Sequence, residues 1–214
     1  GEGEAPPMRR IPDYDRPGLL VTVPPERWPC NVFNRLDNAV DGLHVLFTHQ
    51  ESAKGEPNIG SGADNNTELP TQNSVETEFG IETEILYGSL KAYFSFLMPN
   101  ANMVAATFGR LEGPRNGPRA WRSEVHFRVP VDDENCVTFS VFFVDLHGEE
   151  AKQYLELRDK TRREFGDPGQ VINDTAEKVL AGGMRLADMD PRLGAGYSFP
   201  VEDYVTQVGQ GRIN

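Results

Sequence analysis

Apolar and polar residues follow two different periods along this chain. In its central part, runs rich in β-branched and aromatic residues are separated by turn-forming stretches such as PNAN and VDDEN, which predicts an antiparallel meander. An earlier apolar run, residues 19–25, ends in two prolines and predicts one further short strand. The central runs are EFGIETEILYG (78–88), LKAYFSFLMPN (90–100), WRSEVHFRVPV (121–131) and CVTFSVFFV (136–144).

The segment before these strands has a helical period. Within residues 34–47, Leu36, Val40, Leu43 and Phe47 recur at intervals of three and four residues. Such spacing places apolar side chains on one stripe and predicts a single amphipathic helix.

Helical periodicity returns after the last strand. Residues 151–165 predict one helix, and residues 174–183 predict another that begins at an Asp174 N-cap and ends at a glycine pair. A helix, then strands, then helices indicates an α+β fold in which helices cover one face of an antiparallel sheet. The polar tract from about residue 50 to 74 is long for a loop, which predicts either a lid or a poorly ordered segment.

Composition narrows the class of protein. The 214 residues include 33 acidic and 21 basic side chains, and the formal charge of -12 argues against a nucleic-acid or anionic-membrane partner. No apolar run reaches the length of about 20 residues that spans a bilayer, and the start lacks a signal-peptide core. Two cysteines, Cys30 and Cys136, are too few for a disulfide scaffold, although one bridge stays open. We therefore expect a single soluble, cytoplasmic domain.

Four side chains with metal-site chemistry lie close together in sequence. On a continuous helix, Asp37, Asp41 and His44 would lie within about 60° of one another. His49, five residues after His44, would point about 140° away, so one metal ion could bind both imidazoles only if the helix ends, bends or bulges between them. The alternative is a half-buried His44 in the core and a surface His49. Carboxylates beside imidazoles favour the metal site, which then needs a further oxygen ligand from elsewhere.

The stretch DNAVDGLHVLFTH (37–49) resembles the pattern Asp/Glu-x3-Asp-x2-His-x4-His of the catalytic domain of Rieske non-haem iron oxygenases. Further stretches resemble the branch of phthalate 4,5-dioxygenase and aromatic O-demethylases, and the likeness runs from about residue 11 to residue 214. These stretches are IPDYDRPG, RWPCNVFNRLDN, FLMPN, FRVPVDDEN and EDYVTQVGQGRIN.

The resemblance implies a helix-grip-like fold and a set of site residues. His44 and His49 would be ligands of Fe(II), and Asp203 would be the third ligand, with Glu202 as the neighbour that could be mistaken for it. Asp203 is expected near the beginning of a helix. Asp41 would be the carboxylate that links the iron to a Rieske cluster on a neighbouring subunit. His126, in a strand, is expected to be structural or to line the cavity.

The resemblance also implies partners and a missing domain. A Rieske [2Fe–2S] cluster takes two Cys and two His, and neither cysteine here is closely followed by a histidine. We therefore expect residues 1–18 to be a linker from an absent N-terminal Rieske domain, and residues 19–214 to be a catalytic domain that is incomplete at its C-terminus. The family implies O2, an aromatic substrate, a homotrimer, and electrons from NAD(P)H through a reductase or ferredoxin.

Three functions remain as alternatives at this stage. The first is hydroxylation or O-demethylation of an aromatic compound, most naturally an aromatic acid, by the iron centre. The second is a non-catalytic helix-grip protein that binds a hydrophobic ligand. The third is a zinc-dependent hydrolase with the same ligands and with Asp41 as the base.

Overall fold

A computed structural model describes residues 11–49, 52, 69–87, 90–108, 120–193 and 195–213. The described chain is an α+β fold built on one eight-stranded antiparallel sheet, which confirms the fold class expected from the sequence. The strands are β1 (Leu19–Thr22), β2 (Glu26–Trp28), β3 (Thr71–Thr77), β4 (Gly80–Tyr87), β5 (Leu90–Leu97), β6 (Ala101–Phe108), β7 (Ala120–Asp132) and β8 (Asn135–Val144).

The sheet is a meander from β3 to β8 with the two N-terminal strands added at its far edge. Its order is β1-β8-β7-β6-β5-β4-β3, and β2 also pairs with β8. All four central runs predicted from the sequence form strands, as does the first apolar run. In strands β2, β3 and β6, apolar and polar residues alternate less clearly, and the sequence did not predict these three strands.

Five α-helices accompany the sheet in the described part of the chain. Helix α1 contacts β5, β6 and β7 as well as α5, and α4 packs along α5, so the helices cover one face of the sheet. A buried cluster joins these layers through Trp28 of β2, Ile172 and Ala176 of α4, and Val201 and Tyr204 of α5. The helices are α1 (Val32–Val40), α2 (His44–Thr48), α3 (Gly148–Phe165), α4 (Pro168–Leu180) and α5 (Ala195–Gly209).

The start of α4 corrects one prediction. Its N-cap is Asp167, whose side chain accepts hydrogen bonds from the backbone N–H of Gly169 and Gln170, and Pro168 follows in the first turn. Proline lacks an N–H and suits this position, so the helix begins seven residues earlier than the Asp174 cap predicted from the sequence. Its end agrees with the prediction, since Gly182 follows with φ of 74°.

The predicted helix over residues 34–47 is broken into α1 and α2. The break is at Gly42, which is buried, and a Cβ atom there would lie 1.9 Å from Ile85 Cδ1. The Tyr87 hydroxyl also donates a 2.6 Å hydrogen bond to the Gly42 carbonyl. Strand β4 therefore leaves no room for a side chain at position 42 and holds the backbone of the break by a hydrogen bond.

The predicted apolar stripe on this segment is also wrong. Phe47 is 63% exposed and Val40 is 36% exposed, whereas α1 buries Asn34, Arg35 and Ala39. The buried face is polar because it contacts α5: Asn34 donates to the main chain of Gln207, and Arg35 donates to its side chain.

Part of the polar tract is ordered as β3, while residues 53–68 lie outside the described residues. None of the described helices has both the length and the apolar character needed to cross a bilayer.

Candidate metal centre

His44, His49 and Asp203 come together between α2 and α5. Asp203 Oδ1 lies 3.8 Å from His44 Nε2 and 3.5 Å from His49 Nε2. One ligand atom from each of the three residues lies within 4.8 Å of the others. The three side chains are therefore close enough to share one small ion.

The two histidines can meet because they occupy opposite ends of a very short helix. His44 is the first residue of α2, and His49 follows its last residue with φ of -94° and ψ of 25°. The helix thus ends between the two imidazoles, which is one of the conditions set by their five-residue spacing. Their ring centroids are 5.3 Å apart with planes at 69°.

Asp203 lies in the middle of α5 and not near its beginning, which corrects the sequence-based expectation. Asn38 of α1 donates a hydrogen bond of 3.2 Å from Nδ2 to Asp203 Oδ1, and the same nitrogen is 3.4 Å from His44 Nε2. Because this amide contacts two of the three candidate ligands, it orients them toward each other.

Glu202 contacts His49 at Nδ1, the ring nitrogen that does not face Asp203. Glu202 is fully buried, and its Oε2 accepts a hydrogen bond from His49 Nδ1 at 2.9 Å. Its Oε1 accepts from the backbone N–H of Ser52 at 3.0 Å, and Phe199 stacks on the imidazole with centroids 4.5 Å apart. A proton on Nδ1 leaves the Nε2 lone pair free, and this nitrogen faces Asp203. The sequence indicated Glu202 only as an alternative ligand, because no local pattern relates it to His49.

Burial lowers the pKa of His49, but the charges of Asp203 and Glu202 outweigh burial and raise it overall. The negative potential that favours a second proton on this imidazole also favours a metal cation, and the two compete for the same nitrogen.

His44 is oriented by the backbone at the break between α1 and α2. Its Nδ1 contacts the main-chain carbonyl of Asp41, and the Asp41 side chain accepts a 2.8 Å hydrogen bond from the Leu43 N–H. Both Asp41 and Asp37 are exposed. Because the helix is broken, the face that Asp37, Asp41 and His44 were predicted to share does not exist, and it is the Asp41 carbonyl that reaches the ring.

The donor set fits a divalent metal ion. Two imidazoles and one carboxylate are the protein ligands of facial-triad iron sites, which leave further positions open. Donor atoms about 2.1 Å from a common ion lie about 3.0 to 3.4 Å apart. The 3.5 and 3.8 Å separations from Asp203 are longer than this, and the three donor atoms lie within 4.8 Å of one another, so the side chains would have to move inward to coordinate one ion.

A cavity of about 1050 Å³ opens beside this centre, between the sheet and the helices. Strand residues supply an apolar wall, while His44, His49 and Asp203 lie at one part of the lining. The apolar residues are Ala92, Phe94, Val104, Ala106 and Phe142.

His126 lines the same cavity, which confirms that it is a wall residue, and it belongs to a polar row on β7 and β8. Its Nδ1 is 2.8 Å from Ser140 Oγ, and its Nε2 is 3.4 Å from Glu124 Oε2. Burial raises the pKa of Glu124, yet Arg122 and His126 outweigh burial and hold that pKa at about 2. Burial also lowers the pKa of His126, so a neutral imidazole links an ionised Glu124 to the Ser140 hydroxyl.

No protein-family model matches the sequence, and no curated protein sequence matches it significantly. Solved structures share its fold. A mutant of NdmA from Pseudomonas putida CBB5 with caffeine has a TM-score of 0.52 at 16% identity, over 74% of this chain and 43% of that chain. NdmB from the same organism has a TM-score of 0.51 at 13% identity, over 94% of this chain and 53% of that one.

Dicamba monooxygenase bound to dicamba has a TM-score of 0.52 at 12% identity, over 95% of this chain and 62% of that chain. The chain thus spans about half the length of the solved structures it matches. At these identities the likeness shows a common fold.

Proposed function

We propose that this chain is the catalytic domain of the oxygenase component of a Rieske-type non-haem iron system. In this proposal, His44, His49 and Asp203 hold Fe(II) on one face and leave its other positions open. The observation that carries the proposal is the convergence of these three side chains from two distant segments of the chain. The fold shared with a structure named dicamba monooxygenase supports it.

Iron bound at this centre would supply activation of O2, which amino-acid side chains do not provide. The protein residues have positioning roles. Glu202 fixes the orientation of His49, and Asn38 holds Asp203 beside His44. The burial of His49 restricts the access of water to its imidazole nitrogens.

The substrate in this proposal is an aromatic compound, which is hydroxylated or O-demethylated. Phe94, Val104 and Phe142 give the cavity an apolar wall against which a ring can pack. Which of the two reactions occurs depends on which atom of the bound substrate lies toward the metal centre.

Electron supply in this proposal comes from other parts of the assembly. A Rieske [2Fe–2S] cluster on a neighbouring subunit of a homotrimer, fed from NAD(P)H by a reductase or ferredoxin, would deliver electrons near Asp41. Residues 1–18 would connect the cluster domain to the catalytic domain, residues 19–214. Asp41 is exposed while its carbonyl contacts His44, which suits a link between a protein surface and the centre.

Metal analysis tests the central claim. After anaerobic loading with Fe(II), we expect about one iron per chain, and loss of that iron in His44→Ala. His147→Ala is the matched control, because His147 is exposed and pairs with Asp145 away from the centre. Normal iron content in His44→Ala would contradict the proposal.

Turnover separates the oxygenase from its rivals. The protein with its Rieske domain and an electron donor should consume O2 in the presence of an aromatic substrate. Activity that requires zinc but neither O2 nor a reductant would select the hydrolase. Ligand binding without stoichiometric metal would select the carrier protein.

A further inference from the structure

Two buried guanidinium groups lie in the cavity that contains the metal centre. Arg35 of α1 is 5% exposed and Arg128 of β7 is 6% exposed. Both line the cavity together with His44, His49 and Asp203. Arginine is almost never this buried unless a group of opposite charge compensates it.

Within the described residues, the hydrogen-bond partners of both arginines are uncharged side chains. Arg128 donates from Nε to Asn102 Oδ1 at 3.1 Å and from Nη1 to Thr138 Oγ1 at 2.8 Å. Arg35 donates from Nη1 to Gln207 Oε1 at 3.1 Å, and its guanidinium carbon lies 3.3 Å from the centroid of the Trp28 ring.

Arg35 keeps one unused donor. Its Nε is buried and has no hydrogen-bond partner within the part of the chain that the structure describes. An unmade hydrogen bond of a buried donor costs about 1 to 3 kcal/mol, and more for a charged group, so a ligand acceptor at this position would recover that cost.

The two nearest described carboxylates, Glu26 and Asp203, do not accept hydrogen bonds from Arg35 or Arg128. Glu26 Oε2 is 4.0 Å from Arg35 Nη2, beyond hydrogen-bond distance. Asp203 faces the two histidines, where a bound metal ion would use its charge. Burial, followed by the charge of Arg35, lowers the pKa of Arg128 to about 9, so the two cations oppose each other.

The side chains that line the cavity include more cations than carboxylates, which also favours an anionic ligand. Seven arginines and five carboxylates line it, although the chain as a whole carries a charge of -12. Several lining arginines form close ion pairs. Among the described residues, no carboxylate lies within hydrogen-bond distance of Arg35 or Arg128, and Glu26 forms only a long ion pair with Arg35 at 4.0 Å. The paired ones are Arg122 with Glu124, Arg162 with Asp167, and Arg192 with Asp190.

We propose that Arg35 and Arg128 form a subsite for the carboxylate of the cavity's ligand, which is an aromatic carboxylate whose ring packs on the apolar strand residues. A carboxylate offers two acceptor oxygens and one negative charge, the complement of guanidinium donors. The subsite adds a ligand-binding role to the proposed function. It rests on that function in one respect: the bound carboxylate is the substrate of the oxygenase. The competing explanation is that both arginines only brace Asn102, Thr138 and Gln207.

Binding of benzoate and of its neutral isostere benzamide separates the two explanations. Calorimetry on the metal-free wild-type protein, in which benzoate cannot bind a metal ion, should show benzoate binding at least about tenfold tighter than benzamide, since hydrogen bonds to charged groups carry the difference. Equal affinity for the two probes, or no benzoate binding, overturns the subsite. This comparison needs no variant and therefore does not depend on whether substituted proteins fold.

Substitution then assigns the residues. Arg128→Gln and Arg35→Gln should each bring the benzoate-to-benzamide preference close to one, while Arg128→Lys keeps part of it. Arg192→Gln is the matched control, because Arg192 also lines the cavity but is paired with Asp190 and Glu164 and is largely exposed. An unchanged preference in folded Arg128→Gln and Arg35→Gln overturns the assignment.

Failure of this inference can be told apart from failure of the proposed function. Iron content and substrate-dependent O2 consumption report on the oxygenase, whereas benzoate preference reports on the subsite. Selective benzoate binding in a protein that takes up no iron would keep the subsite and reject the oxygenase. Iron uptake and turnover with equal binding of both probes would do the reverse.

Discussion

Nδ1 of His49 donates a 2.9 Å hydrogen bond to Glu202, and Nε2 of the same ring lies 3.5 Å from Asp203. One imidazole therefore contacts two consecutive acids of α5 through its two nitrogens. The fully buried Glu202 orients the ring, and the partly exposed Asp203 faces the other nitrogen at the candidate metal centre.

Glu202→Gln should weaken metal binding without removing a ligand. The amide cannot accept from both His49 and Ser52 as the carboxylate does, so the imidazole loses its fixed orientation. We expect affinity for Fe(II) or Co(II), measured by anaerobic chelator competition, to fall about 10- to 100-fold. Glu84→Gln, which alters an exposed ion pair with Lys91, is the control. Wild-type affinity in Glu202→Gln would refute the positioning role.

Gly42→Ala should destabilise the fold and disturb the histidines, because the added methyl group would lie 1.9 Å from Ile85 Cδ1. Overpacking of this kind costs about 1 to 3 kcal/mol, measured as the free energy of unfolding in urea. Ile85→Val removes the clashing carbon, so the double variant should be less destabilised than the sum of the two single variants. Strict additivity would show that the added methyl group does not clash with Ile85.

Asp41→Asn should retain the metal and lose turnover. The amide oxygen can still accept from the Leu43 N–H, so the turn that presents His44 is preserved. In the protein that carries its Rieske domain, we expect normal iron content and a loss of substrate-dependent O2 consumption of at least about tenfold, the effect of about 1.4 kcal/mol. Asp37→Asn, an exposed acid on α1, is the control. Normal turnover in Asp41→Asn would exclude Asp41 as the electron link.

Glu124 should make stability depend on pH in acid. Its pKa is about 2 in the folded protein and near its ordinary value of 4.5 in the unfolded chain. A depressed carboxyl pKa contributes stability that is complete above the unfolded value and is lost as pH falls toward the folded value.

We therefore expect Glu124→Gln to be less stable than wild type at neutral pH, by on the order of 2 kcal/mol. The difference should shrink as pH falls from about 5 to about 2, as followed by urea unfolding at each pH. A difference that stays constant across this range would mean that Glu124 is not ionised by its contacts with Arg122 and His126.

The sheet could be predicted because its signals are local, and the spacing of the two histidines set a condition on the helix that carries them. Strands β4, β5, β7 and β8 carry their own apolar runs. The spacing of His44 and His49 required the helix to end, bend or bulge between them if one metal ion is to bind both. The third ligand, Asp203, came from resemblance, since nothing local ties it to the histidines.

The features that the sequence did not reveal depend on distant contacts. Glu202 and His49 are 153 residues apart, and no periodicity relates them. Ile85 of β4 leaves no room for a side chain at Gly42, within the break, and the polar face of α1 is matched by Gln207 of α5. The helix start at Asp167 was missed because Asp174, seven residues later, has the same cap chemistry.

The candidate ligands flank nearly the whole meander in sequence, since α2 precedes β3 and α5 follows the last strand. An ion shared by them would link the helix that precedes the meander to the helix that ends the described fold. At a free metal concentration one hundred times the dissociation constant, metal binding would add about 2.7 kcal/mol to the free energy of unfolding. If the ion is iron, as proposed, iron starvation would have two effects. It would stop the oxygenase reaction, and it would lower the stability of the fold and so favour unfolding and proteolysis.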